Sequence, residues 1–538
     1  MRNYITFLQL LAIILTTKIC KSQDTLFFKK LGDSSGDEEI ENIITISDGN
    51  LISIGMSDSY SSNGDADAII IKSDINGNVL WTKTHGNSFD NMLLDIKELN
   101  TGEFIACGWT VNNGVDYDFW IVKLDNQGNI VWEKQYGGSG DEQAWSVDLL
   151  LNDYIVVGGT DSYGAGLTDV WAMRIDNNGN IIWQNTYGSS SDDAPPGSYE
   201  EYVARSFVDN NNRIIIGGLS NGTPSNSYDI FTLKLDAQGN ILWQYAYGDV
   251  DEEAFWNFTS SYDGNYYYLS GNTNVPSTQD GEMWLVKIDT TGNIVWQKSF
   301  GNTGTWDEIL NISSSNDGVI LSSYIETNSN DWSGALLKVN NQGNLIWSNK
   351  YKMGDLDWIN DAKALSDGTI AIAGVTTNTT VWNQDYLFIR VNTSGTISGC
   401  NLITAYTPNV NTTNTTKQNI NFSKTSTSTN SIVINSTTQT LNLLSSSSNC
   451  SEIISSINEW NIDKQEIYPN PANSFIEVPI VGNVYNYEIY NLTGKLIMKE
   501  VNYNQKRINI TNLSNGVYFI KISSQNQTDT ATYKIIKI

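Results

Sequence analysis

Carboxylates that recur in phase are the residues of this sequence best placed to do chemistry. Asp37, Asp90, Asp141, Asp251, Asp307 and Asp361 stand at closely similar positions, once per unit of an internal repeat. A second series, Asp67, Asp118, Asp169, Asp229, Glu282 and Asp385, runs out of step with the first. Oxygen-rich Asp and Asn loops suit Ca²⁺, which extracellular modules bind weakly, so the first series is a candidate ligand or calcium site. No spacing completes an EF-hand or nonapeptide calcium loop. Two acids suffice to hydrolyse a glycosidic bond, but the sequence singles out no catalytic pair. The competing structural reading, which we prefer, has these carboxylates capping strands and bonding backbone amides. Others would pair with Lys72, Lys123, Arg174, Lys234, Lys287, Lys338 and Arg390, which also recur in phase.

Aromatic residues raise a second chemistry, stacking on sugar rings. Trp81, Trp132, Trp183, Trp243, Trp296 and Trp347 occupy one repeat position beside aliphatic residues, and this favours packing in the core. Trp109, Trp145, Trp256, Trp306, Trp358 and Trp382 do not follow that position and are better ligand candidates. The single histidine, His85, excludes His-based triads and multi-His metal sites; it stands where Tyr136 and Tyr187 stand in other units and reads as their packing substitute. Cys107 lies in the apolar run Phe104-Ile105-Ala106-Cys107, as a small core residue does. Cys400 and Cys450 bracket a polar segment and are expected to pair in an oxidising compartment.

The elements that must position these residues follow from the repeat. Asn76-Gly77-Asn78-Val79-Leu80-Trp81 returns as Gln127 to Trp132, Asn178 to Trp183, Gln238 to Trp243, Thr291 to Trp296 and Gln342 to Trp347. Phe27 takes the Trp place upstream, and the phrase decays at Ser394 to Gly399, which makes seven units. Each unit reads as four short strands, A to D, with Gly and Asn at the turns. No stretch has a helical period. Seven four-stranded units point to an all-β chain, a seven-bladed β-propeller, because a small sheet covers its faces only by stacking on neighbours. The repeat begins on a D strand, so the N-terminal strand should complete the last blade beside residues 385–391. The D–A loops, expected to hold the first carboxylate series, and the B–C loops or strand-C starts, expected to hold the second, then share one face, and binding sites favour such loops on a rigid scaffold.

The phrase Lys123 to Trp132 resembles the tryptophan-docking repeat of quinoprotein-like (PQQ-type) propellers, in which the Trp packs between blades. The Asp-to-Gly spacing here is one residue shorter, and quinoprotein enzymes typically have eight units, so the resemblance implies the scaffold rather than the cofactor. At the C-terminus, Ile467 to Asn473, Tyr487 to Lys495, Leu513 to Lys521 and Lys534 to Ile538 together are similar to the type A sorting domain of the type IX secretion system of Bacteroidota. This resemblance implies a small β-sandwich recognised by the type IX secretion machinery. Pro469, Asn470, Pro471, Gly494, Gly516, Tyr518, Lys534 and Lys537 are its sorting-signal residues.

The division expected is a signal peptide at 1–22, a propeller at 23–400, a Ser/Thr/Asn-rich linker or small disulfide-clipped hairpin at 401–458, and the sorting domain at 459–538. Ser431 to Asn435 and Leu441 to Leu444 are the strands such a hairpin would pair. Arg2 and the apolar run Ile5 to Thr17, too short to span a bilayer, carry the signal-peptide reading. Net charge is −28, and residues 23–400 alone hold 51 acids and 18 bases. Such acidity argues against nucleic acid and against an anionic membrane face. The expectation is a secreted or surface-attached monomer that binds an extracellular glycan or protein, with Ca as the one cofactor considered. The alternative is a polysaccharide-degrading glycoside hydrolase, endoglucanase-like, using carboxylates at the channel mouth. Ser191 to Glu200, the visible break in the repeat, could wall its pocket.

Overall fold

The computed structural model describes residues 25–32, 36–60, 65–112, 114–194, 204–225, 227–275, 280–302, 304–328, 331–379, 383–434, 436–441, 450–453, 470–477, 485–491, 496–503, 505–524 and 530–537. The expected signal peptide, Pro469, Gly494, Trp382 and most of the 191–200 insertion lie outside them. All regular structure among the described residues is β-strand, and the chain divides into two compact units, one of them Thr25–Glu452.

In that unit the strands form seven antiparallel groups of four, one for each unit of the repeat. They span residues 38–86, 91–136, 142–188, 204–248, 253–301, 307–351 and 356–391, the last completed by Thr25–Leu31. The third group shows why. Glu142–Leu150, Asp153–Thr160, Asp169–Ile175 and Ile181–Gly188 pair in succession. Its second and third strands are buried along nearly their whole length, as β-branched runs covered on both faces should be. Its C–D turn is fixed by Asp176, whose Oδ1 accepts from the amides of Asn178 and Asn180 at 2.8 Å, while Gly179 adopts the left-handed φ of +72° that the turn requires. Asp125 and Asp236 build the same turn in neighbouring groups.

The N-terminal strand lies antiparallel to Asn383–Val391, with Phe27 opposite Arg390 and Leu31 opposite Tyr386. The seventh group packs back on the first. Ile43 N donates to Asp361 Oδ2 at 3.1 Å, Ser53 and Tyr386 hydroxyls meet at 2.9 Å, and the buried Arg390 guanidinium donates to the Ile75 carbonyl at 3.0 Å. The succession therefore returns to its start in a propeller-like arrangement.

Neighbouring groups dock through the repeated aromatics. The indole N–H of Trp132 donates to Asn177 O at 3.1 Å, that of Trp183 to Ala237 O at 3.1 Å, that of Trp243 to Thr290 O at 3.3 Å, that of Trp296 to Asn341 O at 3.1 Å and that of Trp347 to Thr393 O at 3.0 Å. Each acceptor is in the next group's C–D turn, or, for Thr393, in the matching turn after the seventh group's third strand. Trp81 packs on Gly128 in the same way, and Phe27 on Gly77. The six tryptophan rings are half-buried at the outer margin, unlike the buried Phe27, which differs from the core placement their aliphatic neighbours suggest. The fully buried tryptophans are Trp120, Trp171 and Trp284 of the third strands. A second row of contacts lies beneath. Tyr136, Tyr187, Tyr247 and Tyr351 hydroxyls donate to Gly179, Gly239, Gly292 and Gly395 carbonyls at 2.6 to 2.8 Å. His85 holds the same place, with Nε2 2.9 Å from Gly128 O.

The described residues of 401–453 are neither linker nor hairpin, although of the expected strand 441–444 only Leu441 is described. Their short strands run antiparallel along the outer edges of successive groups. Ile403–Ala405 pairs with the sixth group, Asn409–Asn411 with the fifth, Thr416–Asn419 with the fourth, and Ser423–Ser426 with the third. Ile432–Val433 and Thr437–Leu441 do not pair with each other but with the second and first groups. Cys450–Ile453 ends beside Thr25–Leu31. Every fourth strand thus gains a fifth neighbour, which satisfies its outward backbone groups. Side chains anchor this belt: Gln297 donates to Thr415 O at 2.9 Å, Trp284 to Thr413 at 3.0 Å, and Phe422 meets Phe231 edge-on at 5.0 Å. Cys400 is disulfide-bonded, whereas Cys107 is buried and free.

The second unit takes in Ile453–Ile538. Phe475–Glu477 pairs with Arg507–Asn509, and a four-stranded sheet runs in the order Leu496–Tyr503, Tyr485–Asn491, Gly516–Ser524, Thr530–Lys537. Ala472, Ile476, Ile489, Ile508, Ile520 and Ile535 form one core. Asn470 Oδ1 accepts from Ile536 N at 2.9 Å, ahead of a cis peptide to Pro471. Ala472 N donates to Ile536 O at 2.8 Å, and the Tyr518 hydroxyl to Ser514 O at 2.9 Å. Lys537 is buried.

Candidate functional site: a central cavity

The first strand of each group carries the site. In six groups it contains a bulge, seen as register shifts between Ile40 and Asn42, Leu93 and Asp95, Ala144 and Ser146, Phe255 and Asn257, Ile309 and Asn311, and Ile359 and Asp361. In five of these groups the facing strand offers a glycine to the bulge, and in the sixth Ser322 and Ser323 face it. At Gly158 a Cβ would overlap the Gln143 carbonyl oxygen. The bulged column reads Glu41, Leu94, Trp145, Trp256, Leu310 and Asn360, with Arg205 at the matching place in the fourth group. Two residues earlier stand Glu39, Glu308 and Trp358. Both columns face inward, and all of these residues but Leu94 bound a cavity of about 600 Å³.

Tyr324, Trp332, Val375 and Gln384 close the cavity from the ends of second and third strands, so it lies toward the face bearing the D–A and B–C loops. Glu308 is buried, and its Oε2 accepts from the Trp306 indole at 2.8 Å and from the Tyr324 hydroxyl. Burial pushes its carboxyl above the usual range, against the pull of the hydrogen bonds it receives. Glu41 is likewise raised by burial, opposed by the Arg205 charge and a hydrogen bond with Glu39. The Arg205 guanidinium lies 4.9 Å from the Trp145 ring centre and donates to the Trp145 carbonyl at 3.4 Å. Trp145 Nε1 is buried and has no hydrogen-bond partner.

Of the non-repeating tryptophans, Trp145, Trp256 and Trp358 line the cavity; Trp306 stands behind it as a donor to Glu308. Trp109 packs edge-on to Tyr117 at 4.9 Å, away from it. Glu39, Glu41, Arg205, Glu308, Tyr324, Trp332 and Gln384 were not singled out from sequence. For Glu39, Glu41, Arg205 and Glu308 the signal is that the two inward columns are where the seven repeats differ from one another.

The in-phase acids do other things. Asp37 Oδ1 accepts from Gln384 N at 2.7 Å, Asp90 from Ala66 N at 2.7 Å, and Asp141 from Tyr117 N at 2.9 Å. Each ties a D–A loop to the preceding group. Asp307 and Asp361 are not loop residues but strand residues, almost fully buried. Asp361 bonds Ile43 of the first group, and Asp307 accepts from Asn302 N at 3.1 Å and Tyr406 at 2.9 Å. Among the described residues Asp251 caps nothing in another group; its own amide donates to Asp249 Oδ1 at 3.0 Å. Among the described residues no three Asp, Glu, His or Cys side chains converge in a way that could hold a metal ion. The third-strand bases pair elsewhere, with acids of the A–B turns: Lys72 with Asp48 at 2.7 Å, Lys123 with Glu103 at 3.2 Å, Arg174 with Asp153 at 2.5 Å and Lys234 with Asp209 at 3.0 Å.

Residues 466–538 match the family model of the secretion system C-terminal sorting domain. This tail marks the chain for export by type IX secretion and for attachment at the cell surface. No curated protein matches the chain in sequence. Among solved structures the chain is similar to PorZ, a bacterial surface component of the type-IX secretion system of Porphyromonas gingivalis, at 10% identity over 91% of this chain and 68% of that one, with a TM-score of 0.29. An ancestral GH74 enzyme aligns at 11% identity over 67% of this chain and 47% of its own, TM-score 0.36. The extracellular domain of BT4673 from B. thetaiotaomicron aligns at 11% identity over 93% and 81%, TM-score 0.23. Likeness this distant carries no argument about activity.

Proposed function

We propose that this exported surface chain is a seven-bladed β-propeller that binds an extracellular glycan or protein in its central cavity, followed by a β-sandwich sorting tail. The observation that carries the reading is the contrast between scaffold and cavity. Docking tryptophans, hairpin turns and edge strands repeat from group to group, while the inward columns present Glu, Leu, Trp, Arg, Trp, Leu and Asn at one repeat position. A repeated frame holding one asymmetric, aromatic-lined cavity is how a rigid scaffold displays a single specific site. The test is display of the full chain on cells, with Trp256→Ala and Trp358→Ala as variants, scored for retention on arrays of glycans and extracellular proteins. Retention that survives both substitutions would place the site elsewhere.

Catalysis is the second reading, and Glu308 favours it. A carboxyl raised by burial among indoles suits a proton donor to a leaving sugar oxygen. Release of reducing ends from a bound polysaccharide, lost in Glu308→Gln while binding is kept, would distinguish hydrolase from binding module.

A further inference from the structure

We infer that the central cavity takes the end of an uncharged sugar chain, held between indole faces and hydrogen-bonded through its hydroxyls to Glu308 and to the Trp145 N–H. The inference rests on the binding reading above and deepens it by naming the ligand's chemistry.

Size comes first. A cavity of about 600 Å³ falls within the range of small-ligand sites, too small for a folded partner and adequate for a few rings. Shape comes next. Tyr324 and Trp332 rings lie against each other at 4.6 Å, and Trp145 is covered on one face by Arg205. Trp256 and Trp358 line the same space and enter no ring or cation contact among the described residues, so their faces are available to an apolar ring face.

Charge then discriminates among ligands. Three carboxyls and one guanidinium face the cavity. Glu39 and Glu41 stand two residues apart on the same inward strand, where burial works against charge on Glu41. The charge left on that pair is met by Arg205. Glu308 sits deep among aromatic rings with donors on Oε2, and burial favours its neutral form. Arg205 thus offsets part of the carboxyl charge, and burial opposes the rest. An anion would meet three carboxyls and a guanidinium already engaged. A cation would find no unpaired carboxylate. A hydroxyl suits every polar group present, because it accepts from the orphan Trp145 N–H and donates to a carboxyl oxygen.

The test uses the purified full chain with three sets of oligosaccharides: neutral (cello-, manno- and N-acetylglucosamine oligomers), anionic (galacturonate oligomers) and cationic (glucosamine oligomers). Binding is read by quenching of tryptophan fluorescence and by calorimetry. The expected result is binding within the neutral set only, with an affinity unaffected by added salt, weakened about ten-fold or more in Trp256→Ala or Trp358→Ala and weakened in Glu308→Gln. Circular dichroism melts establish that each variant is folded. Preference for a charged set, a steep salt dependence, or no binding to any neutral oligomer would overturn the inference. Loss of sugar binding with retained capture of a protein ligand in the cavity would overturn it and leave the broader binding reading standing. Sugar binding indifferent to both tryptophans would overturn the two together.

Discussion

Asp229 of the fourth group and Glu253 of the fifth face each other across Gly248. A Cβ on that glycine would overlap Asp229 Oδ1 and lie 2.5 Å from Glu253 Oε2. Both acids are almost fully buried, and neither of those two oxygens has a donor. The arrangement recurs. Asp118 and Glu142 meet over Gly137, Asp169 and Asp193 over Gly188, and Asp385 and Glu38 over Gly32. At the junction of the sixth and seventh groups Ser333 replaces the first acid, and Lys352 replaces the glycine, 3.7 Å from Asp357. Cations neutralise acids at two junctions, Lys352 here and Lys30 beside Asp385 over Gly32; at the Asp229–Glu253 pair, whose facing oxygens lack donors, a proton does so.

A pH dependence follows. Burial and the facing Asp229 push Glu253 up to about 10, and burial raises Glu142 to about 7 and Asp169 to about 6. Asp249 also faces Glu253, and Asp118 faces Glu142. The folded chain holds protons that the unfolded chain releases near ordinary carboxyl values. The stabilisation is therefore complete below those values and is lost as pH rises through the folded ones. Melting temperature should fall from mildly acidic to alkaline pH, and Glu253→Gln should flatten the alkaline part of that decline. A melting temperature that rises through this range would refute the shared-proton account.

Gly248→Ala should destabilise by about 1–3 kcal/mol, the usual penalty for overpacking, because the added methyl enters the space of Asp229. Urea denaturation measures it. A neutral result would mean that the carboxyl can retreat.

The two tryptophan rows should differ in weight. Trp171 is fully buried, so Trp171→Ala should cost about 3–5 kcal/mol. Trp183 is half-buried and bonds one carbonyl, so its loss should cost less, about 2 kcal/mol. Equal costs would contradict the placement of the repeated ring at the outer margin.

Reading from sequence to structure, the repeat was legible because docking depends on side chains: Trp, Gly and Tyr recur wherever one group meets the next. Phe27 in the Trp place and His85 in the Tyr place were recognisable by the same logic. The belt was not, because strand addition is written in backbone hydrogen bonds. Thr416–Asn419 and Ser423–Ser426 are four-residue polar strands with no alternation to betray them. Asp307 and Asp361 were misplaced in loops because an acid in phase looks alike whether it caps a turn or is buried in a strand. The cavity escaped notice since a search for repetition passes over the columns that vary.

The belt ends should be covalently joined. Cys400 is in a disulfide, and we expect Cys450, at the belt's far end, as its partner. Non-reducing peptide mapping should recover that link, and Cys400→Ser should lower stability by about 2–4 kcal/mol. Cys107, buried with its thiol pushed up by burial, should resist thiol reagents until the chain unfolds.

Hydrogen–deuterium exchange of the full chain, with and without the neutral oligosaccharide it binds, tests the central claim most directly. Protection should appear in Glu38–Thr45, Asp307–Ser315 and Leu356–Ala364, the inner strands that bound the cavity. Protection confined to the belt or to the C–D turns would contradict a central site.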